Sequence, residues 1–356
     1  MADILVLGAG HVGRLIARDI SREHDVCVVD ASEERLASVE DFARTSVLDA
    51  RDGEALRKEI RTYDIAVSAL PGWLGFRAVR AAIDAGVSMV DISFMPEDPL
   101  SLHENAVRAG VTVIPDAGVA PGLSNVLMGR IFSVLGPLDH GLIRVGGLPE
   151  EVKPPLFHAA LWSPADLMEE YTRPARVVMN GEIVEVDPLG EIFPLEIPGL
   201  GPLEEFRSDG LRTLLHTVRA QNLEERTIRY RGHLERMRIL RDMGFLEREH
   251  VEHTLNVLAP HLRRGAERDL LVMEVIGRRG DQEMQYFLLD RHSGGVTAMA
   301  RTTGYTATAV ARWLLRGNVD TGVVPPERLG MDENAYRFML DELSRRNVRV
   351  EERIKI

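Results

Sequence analysis

Three glycines near the start of the chain, in Gly8-Ala9-Gly10-His11-Val12-Gly13, follow an apolar run and carry the spacing G-x-G-x-x-G. In that pattern the first glycine permits a tight turn and the second lets the backbone approach a pyrophosphate. The third lets the following helix pack closely on the strand. A helix over Arg14 to Ile20 would offer free N–H groups and the positive end of its dipole to phosphates. Glycine-rich turns are common, so context decides. A second apolar run, Val26-Cys27-Val28-Val29, ends at Asp30, 22 positions after Gly8. That is near the ~20 expected of an acid that holds ribose hydroxyls. Gly8, Gly10, His11, Val12, Gly13 and Asp30 are therefore the expected contacts of a dinucleotide. Asp30 is followed by Ala31-Ser32 without an arginine. A carboxylate there repels a 2′-phosphate, so NAD is expected over NADP.

The elements that must position these residues alternate. Strands are expected at Ile4–Leu7, Val26–Asp30, Ser46–Leu48, Asp64–Ala69, Ser88–Asp91 and Val111–Pro115. Helices are expected between them at Ala50–Ile60, Gly75–Ala85 and Leu100–Ala109. Such alternation predicts an α/β fold with a doubly wound parallel sheet. Ligands bind such sheets at the carboxyl ends of the strands. That rule adds Asp49, Ala69, Leu70, Pro71 and Ser93 to the expected cofactor contacts, and it brings Asp91 and Asp116 to the same edge.

Composition changes after Pro121-Gly122. A helix over Leu123 to Leu135 precedes strand-like Gly141–Gly146, Arg176–Met179 and Ile183–Val186. Leu270–Gly277 and Met284–Leu289 read as an antiparallel pair. Residues 123–295 are thus expected to form an α+β substrate and dimerisation domain, and residues 1–122 the nucleotide domain. From Val296 onward apolar residues recur at helical spacing. The segment 296–356 is expected to be mostly helical and to pack back on the nucleotide domain.

The chain has 356 residues and a formal charge of −12, which argues against a nucleic-acid surface. No run approaches ~18 uninterrupted apolar residues, so no membrane span is expected. The start lacks the features of a secretory signal. Cys27 is the only cysteine; it reads as a small core residue, and a cytoplasmic home is expected. Lysine occurs only at Lys58, Lys153 and Lys355, which leaves Lys153 as the one lysine placed for catalysis. His250, His253 and His261 do not make a ligand set for zinc, so no metal is expected. Ser124 and Ser163 sit outside any G-x-S-x-G pattern, which argues against a hydrolase.

Several segments resemble the saccharopine dehydrogenase-like family, and most closely its lysine 6-dehydrogenases. They are Ala69-Leu-Pro-Gly-Trp-Leu-Gly-Phe76, Asp91-Ile-Ser-Phe-Met-Pro-Glu97, Asp116-Ala-Gly-Val-Ala-Pro-Gly-Leu-Ser-Asn125, Val145-Gly-Gly-Leu-Pro149 and Lys153-Pro-Pro155. Further along come Trp162-Ser-Pro164, Glu170-Tyr-Thr-Arg-Pro-Ala175, Ser208-Asp-Gly-Leu-Arg212, Gly232-His-Leu234 and Arg301-Thr-Thr-Gly304. The resemblance implies a two-domain, homodimeric oxidoreductase with an N-terminal Rossmann domain and NAD in the interdomain cleft. It implies oxidation of the ε-amine of L-lysine, with ammonia released and cyclisation to Δ1-piperideine-6-carboxylate. Other members of the group act on saccharopine or on carboxylated polyamines.

Amine oxidation needs a group that accepts the amine proton, since a free lysine amine has a pKa near ~10.4. Asp116 is the first candidate; the alternative is that it caps the turn after it. Asp91 and Glu97 are competing carboxylates, and Asp91 equally suits holding a loop together. His233 has a chemistry suited to proton transfer, or a structural place. Lys153 suits a base, a carboxylate contact or a solvated position. For the substrate's carboxylate Arg212 is the expected cation, with Arg173 and Arg301 as alternatives. Asp209 either meets the α-ammonium or caps a helix near Leu211. Thr303, in the last motif, completes the expected substrate contacts. Two rival readings remain: a saccharopine-type oxidoreductase, and a silent NAD-binding redox sensor.

Overall fold

The computed structural model describes residues 1–160, 164–263, 265–317 and 319–355. Trp162 and Ser163 of the motifs above lie outside them. The chain divides into two units, Met1–Arg130 with Ala300–Val348, and Ile131–Met299 with Arg349–Ile356.

The first unit is built on a seven-stranded parallel sheet. Its strands β1 (Asp3–Leu7), β2 (Asp25–Asp30), β3 (Arg44–Val47), β4 (Ile65–Ser68), β5 (Ser88–Asp91) and β6 (Thr112–Ile114) are joined at one edge by Gly322–Val323. Across the sheet the order is Gly322–Val323, β6, β5, β4, β1, β2, β3. The central strand β1 is apolar at every position from Ile4 to Leu7, and all four residues are fully buried. A strand covered on both faces cannot alternate, which is why the run is continuous. Strand order reverses between β1 and β4, and β1 pairs with β2 on one side and β4 on the other. The turn after β1 therefore opens at the switch point where such sheets take ligands. Helix α1 (His11–Ile20) follows that turn, and the helix Ala298–Leu314 rests against it where Gly304 meets Leu15 and Ile16.

Several boundaries differ from those expected. The second helix expected starts at Gly53, because Asp52 accepts the N–H groups of Glu54 and Ala55. The third starts at Gly72 rather than Gly75. The stretch from Leu100 splits into a 3-10 turn, Pro99–Leu102, and a helix, His103–Ala109.

The second unit carries a nine-stranded mixed sheet. Its main path runs β10 (Phe193–Glu196), β11 (Pro202–Arg207), β12 (Ala220–Tyr230), β7 (Leu138–Pro149), β13 (Asp269–Arg279), β14 (Gln282–Arg291) and the terminal strand Val350–Lys355. β8 (Ala175–Met179) and β9 (Glu182–Val186) pair beside β12. The tail expected to be mostly helical is helical at Pro326–Met331 and Glu333–Arg345 and departs from that expectation at its end. Residues 350–355 form a strand that pairs with β14 and belongs to the second unit. Their charged sequence hides the strand, since it lies at an edge and needs no apolar alternation. β11 and β12 escaped notice for a related reason. One face of the sheet is polar and held by charge pairs: Arg144 to Glu205 and Glu274, and Arg226 to Glu205 and Glu224. Ion pairs across the strands, and along β12 between Arg226 and Glu224, replace the apolar pattern that marks a strand.

Candidate functional site

The glycine turn has the shape that a pyrophosphate requires. Gly8 sits at φ +99° beside the Ala69 carbonyl, and a Cβ added there would lie 2.8 Å from that oxygen. A Cβ at Gly13 would lie 1.9 Å from the Gly8 carbonyl oxygen, so α1 is packed against the turn to within a side chain's thickness. A Cβ at Gly10 would meet nothing within 4 Å. The two outer glycines are thus needed by the protein's own packing, and the middle one faces open space. Gly10 also opens α1, with no side chain capping its first amides. Those N–H groups and the helix dipole form an anion cradle. His11 is exposed, and Arg14 hydrogen-bonds its Nδ1 at 3.2 Å. Val12 is half-buried in the first turn.

Asp30 ends β2 with its carboxylate pinned to this turn. Oδ2 accepts the Ala9 N–H at 2.8 Å and Oδ1 accepts the Ser32 N–H at 2.9 Å. Each carboxylate oxygen retains a further lone pair for a ribose hydroxyl. Ala69, Leu70 and Pro71 follow β4 and abut the same turn: Ala69 donates its N–H to Leu7, and Leu70 lies beside Gly8. Asp49 is held by Arg51 at 2.5 Å, which keeps its carboxyl down at about 2. The residues present therefore fit a dinucleotide.

Two buried carboxyl groups stand at the ends of β5 and β6. Asp91 is fully buried. Its Oδ2 accepts the Ser93 N–H at 3.1 Å and the Ser93 hydroxyl at 2.6 Å, and its Oδ1 accepts no hydrogen bond among the described residues. Ser68 is its register partner on β4. Loss of hydration raises the Asp91 carboxyl to about 7; the two serines oppose the shift and the nearby Asp116 charge adds to it. Ser93 is therefore not turned to a cofactor as expected. It is wedged between Asp91 and Gly75, where a Cβ would come within 1.8 Å of its hydroxyl. Ser68 and Gly75 were missed here, since strand pairing brings Ser68 beside Asp91 and packing of the helix Gly72–Ala85 brings Gly75 against Ser93.

Asp116 is 1% exposed and adopts φ +52°, a conformation uncommon for a residue with a side chain. The Ala117 N–H donates to the Asp91 carbonyl at 2.8 Å, which ties the two loops together. The Leu123 and Ser124 N–H groups that open helix Leu123–Leu135 donate to the Gly118 and Val119 carbonyls at 2.9 Å. Thr303 lies beside this loop, its methyl 3.4 Å from where a Gly118 Cβ would stand. Glu97 is exposed on the loop after β5.

The second unit holds the other expected residues in different roles. His233 is fully buried. Its Nδ1 meets the Leu156 carbonyl at 2.8 Å and its Nε2 meets the Tyr171 hydroxyl at 2.8 Å. A ring nitrogen facing a carbonyl must carry the proton, so Nε2 accepts from Tyr171. Burial first, then the Arg229 charge, pushes the ring down to about 3. Of the two readings of His233, these bonds favour the structural one. His233 belongs to a buried cluster in which Arg229 donates to Tyr171 at 3.2 Å and to Glu170 at 2.5 Å. Lys153 is half-buried and paired with Glu151 at 2.8 Å.

Asp209 does not cap a helix. Its carboxylate takes a two-pronged bond from Arg176 at 2.8 and 2.9 Å, and the nearest helix starts at Leu214. The neighbouring residues rest on Glu225: the Ser208 hydroxyl lies 3.3 Å from its Oε1, and a Cβ at Gly210 would come within 1.7 Å of that oxygen. This anchoring delivers Arg212 at φ +52°, buried. Of the alternatives, Arg173 pairs with Glu169, and Arg301 reaches the Arg346 carbonyl at 3.1 Å. Glu247, Glu249 and His250 gather on the surface within 4.8 Å of one another, as exposed acidic groups commonly do.

Comparison with known proteins bears on the whole chain. Residues 4–114 match the family model described as Saccharopine dehydrogenase NADP binding domain, and residues 118–348 match Saccharopine dehydrogenase C-terminal domain. A saccharopine dehydrogenase [NADP(+), L-glutamate-forming] of Schizosaccharomyces pombe is 26% identical over 74% of this chain and 62% of its own length. That of Saccharomyces cerevisiae is 27% identical over 69% of this chain and 58% of its own. The mitochondrial alpha-aminoadipic semialdehyde synthase of Rattus norvegicus is 26% identical over 69% of this chain and 28% of its own. The chain thus spans less than two thirds of the length of these curated relatives. The solved structure of apo, histidine-tagged saccharopine dehydrogenase (L-Glu forming) from Saccharomyces cerevisiae matches the fold across 100% of both chains, with TM-score 0.80 and 20% identity. With both units matched, this chain belongs to the saccharopine dehydrogenase family of oxidoreductases.

Proposed function

We propose that this chain oxidises the ε-amine of L-lysine with NAD as the acceptor. The carbon bearing the amine loses a hydride, the resulting imine adds water and releases ammonia, and the semialdehyde cyclises to Δ1-piperideine-6-carboxylate. The observation that carries the reading is the buried pair Asp91 and Asp116 at the carboxyl ends of β5 and β6. The dinucleotide, when bound, supplies a hydride acceptor.

The chain's own residues do the rest. Gly10 and the first turn of α1 hold the diphosphate, and Asp30 holds the ribose. The amine must lose a proton before hydride leaves. Passing that proton from a lysine at ~10.4 to an ordinary carboxyl near 3.8 costs about 9 kcal/mol. Passing it to a carboxyl held at about 7 costs about 5 kcal/mol. Asp91 is thereby matched to the step, with Asp116 as the second carboxyl that positions the amine and then the attacking water. Arg212 is the cation proposed for the amino acid's carboxylate. The rate is expected to rise toward alkaline pH, where less of the amine is protonated. A homodimer in the cytoplasm completes the proposal.

A second reading is favoured by the names of the curated relatives: oxidation of saccharopine at its secondary amine, releasing L-glutamate. One panel separates the two. L-lysine, saccharopine and L-ornithine are offered with NAD and with NADP, and reduced dinucleotide, ammonia and glutamate are followed. Ammonia from lysine supports the first reading, and glutamate from saccharopine the second. No reduction with any of the three refutes both and leaves a silent dinucleotide-binding protein.

A further inference from the structure

The segment after Asp116 folds back on itself: a Cβ at Gly122, where φ is +136°, would lie 2.0 Å from the Gly118 carbonyl oxygen. Asn125 is fully buried and fastens this turn from the start of helix Leu123–Leu135. Its Oδ1 accepts the Gly122 N–H and the Ser124 hydroxyl, both at 3.1 Å. Its Nδ2 donates to Glu327 Oε2 at 3.4 Å, a contact between residues 202 positions apart. Glu327 is fully buried as well and belongs to the short helix Pro326–Met331. Two glycines bring that helix against Leu123–Leu135 backbone to backbone. A Cβ at Gly129 would lie 2.1 Å from the Glu327 carbonyl oxygen, and one at Gly330 would lie 1.8 Å from the Val126 carbonyl oxygen. The glycines already secure the packing of the two helices. A buried carboxyl group costs more than an apolar side chain of its size, so packing by itself does not call for Glu327.

We propose that Glu327 is a positioning residue for Asp116, acting through Asn125 and the turn Gly118–Gly122. The inference rests on the role proposed above for Asp116 and deepens it. Asp116 stands two residues before the turn at φ +52°, a conformation that persists only where the surroundings hold it. On one side the segment is held by the Ala117 N–H, which donates to the Asp91 carbonyl at 2.8 Å. On the other side it is held by Asn125, and Glu327 decides which way the Asn125 amide faces. An amide that donates to a carboxyl oxygen at one end presents its own oxygen at the other. Without Glu327 the amide is free to turn over, and its NH2 would then meet the Gly122 N–H, donor against donor. The turn would open, and Asp116 would lose its place beside Asp91.

The test exchanges the polar ends of the pair in the full chain. Asn125→Asp keeps an oxygen for the Gly122 N–H but sets an oxygen against Glu327 Oε2. Adding Glu327→Gln supplies an NH2 that again meets an acceptor. Turnover is followed on whichever substrate of the panel above is oxidised, at alkaline pH, which disfavours a proton shared between the two carboxyl groups. Dinucleotide affinity is read by titration, and amide hydrogen exchange over 117–124 by mass spectrometry. Asn125→Asp should lower kcat about tenfold or more while dinucleotide affinity stays within about twofold. It should also speed exchange over 117–124 about tenfold, with β1 unchanged. The double variant should recover most of both. Parental turnover and exchange in Asn125→Asp would overturn the proposal. A double variant that is no better than Asn125→Asp, in folding, turnover or exchange, would overturn it too. Where no substrate of the panel is oxidised, the functional reading fails by itself and exchange decides alone: slow exchange regained in the double variant supports Glu327 as the anchor of Asp116, and exchange left fast overturns it.

Discussion

Asp91→Asn is the perturbation that probes the buried carboxyl pair most directly. In the folded chain the Asp91 carboxyl sits at about 7 against an ordinary 3.8. Below 3.8 the group is protonated both folded and unfolded, and it has no effect on stability. As pH rises the unfolded chain releases the proton while the folded chain keeps it, so stability falls through the window from 3.8 to 7 and levels off above. The difference of 3.2 units at 1.36 kcal/mol each gives a penalty of about 4 kcal/mol at neutral pH, as an upper bound. Asparagine removes the penalty. Its carbonyl can accept both Ser93 bonds, but its amide would stand where Oδ1 has no partner among the described residues, which costs about 1–3 kcal/mol. The net gain at neutral pH is therefore about 1–3 kcal/mol, with a loss of stability at pH 4. Urea unfolding of the variant and the unchanged protein across pH 4 to 8 reads the difference, and turnover on the successful substrate should fall by about a hundredfold. A variant-minus-parent difference that stays constant across that range would show that Asp91 titrates as an ordinary carboxyl, and the mechanism would lose its proton acceptor.

Other expectations are as specific. Gly13→Ala places a Cβ 1.9 Å from the Gly8 carbonyl, so the turn must open; titration should show loss of dinucleotide binding, and unchanged affinity would contradict the geometry of the turn. His233, at about 3, is neutral from pH 5 to 8. His233→Ala should cost about 2–4 kcal/mol in chemical unfolding while leaving the shape of the pH–rate profile unchanged. The lowered His233 value also carries a sign of its own: the folded chain loses stability as pH falls from 6.5 toward 3, by up to about 5 kcal/mol. Asp19 is buried between Arg312 at 2.7 Å and Arg346 at 2.8 Å. Asp19→Asn leaves two guanidinium groups under-compensated and should destabilise by about 3–5 kcal/mol; thermal unfolding within a degree of the parent would show the cluster to be solvated.

The order of amino acids by itself determined the parallel sheet, the glycine turn and the acid at the end of β2. These rest on short-range rules: an apolar run buried on both faces, a turn only glycine can make, and an acid one strand later. It also brought Asp91 and Asp116 to one edge, because strands of a parallel sheet end together. What each candidate does there was decided by tertiary structure, since that depends on neighbours remote in the chain. Asp209 was taken by Arg176, His233 was closed in by Tyr171 and Leu156, and Lys153 was paired with Glu151. Asp91 acquired its raised pKa from burial, with the nearby Asp116 charge adding to the shift and Ser68 and Ser93 opposing it. Hydration and charge are properties of a place in space, and a place in space is what the chain lacks until it folds.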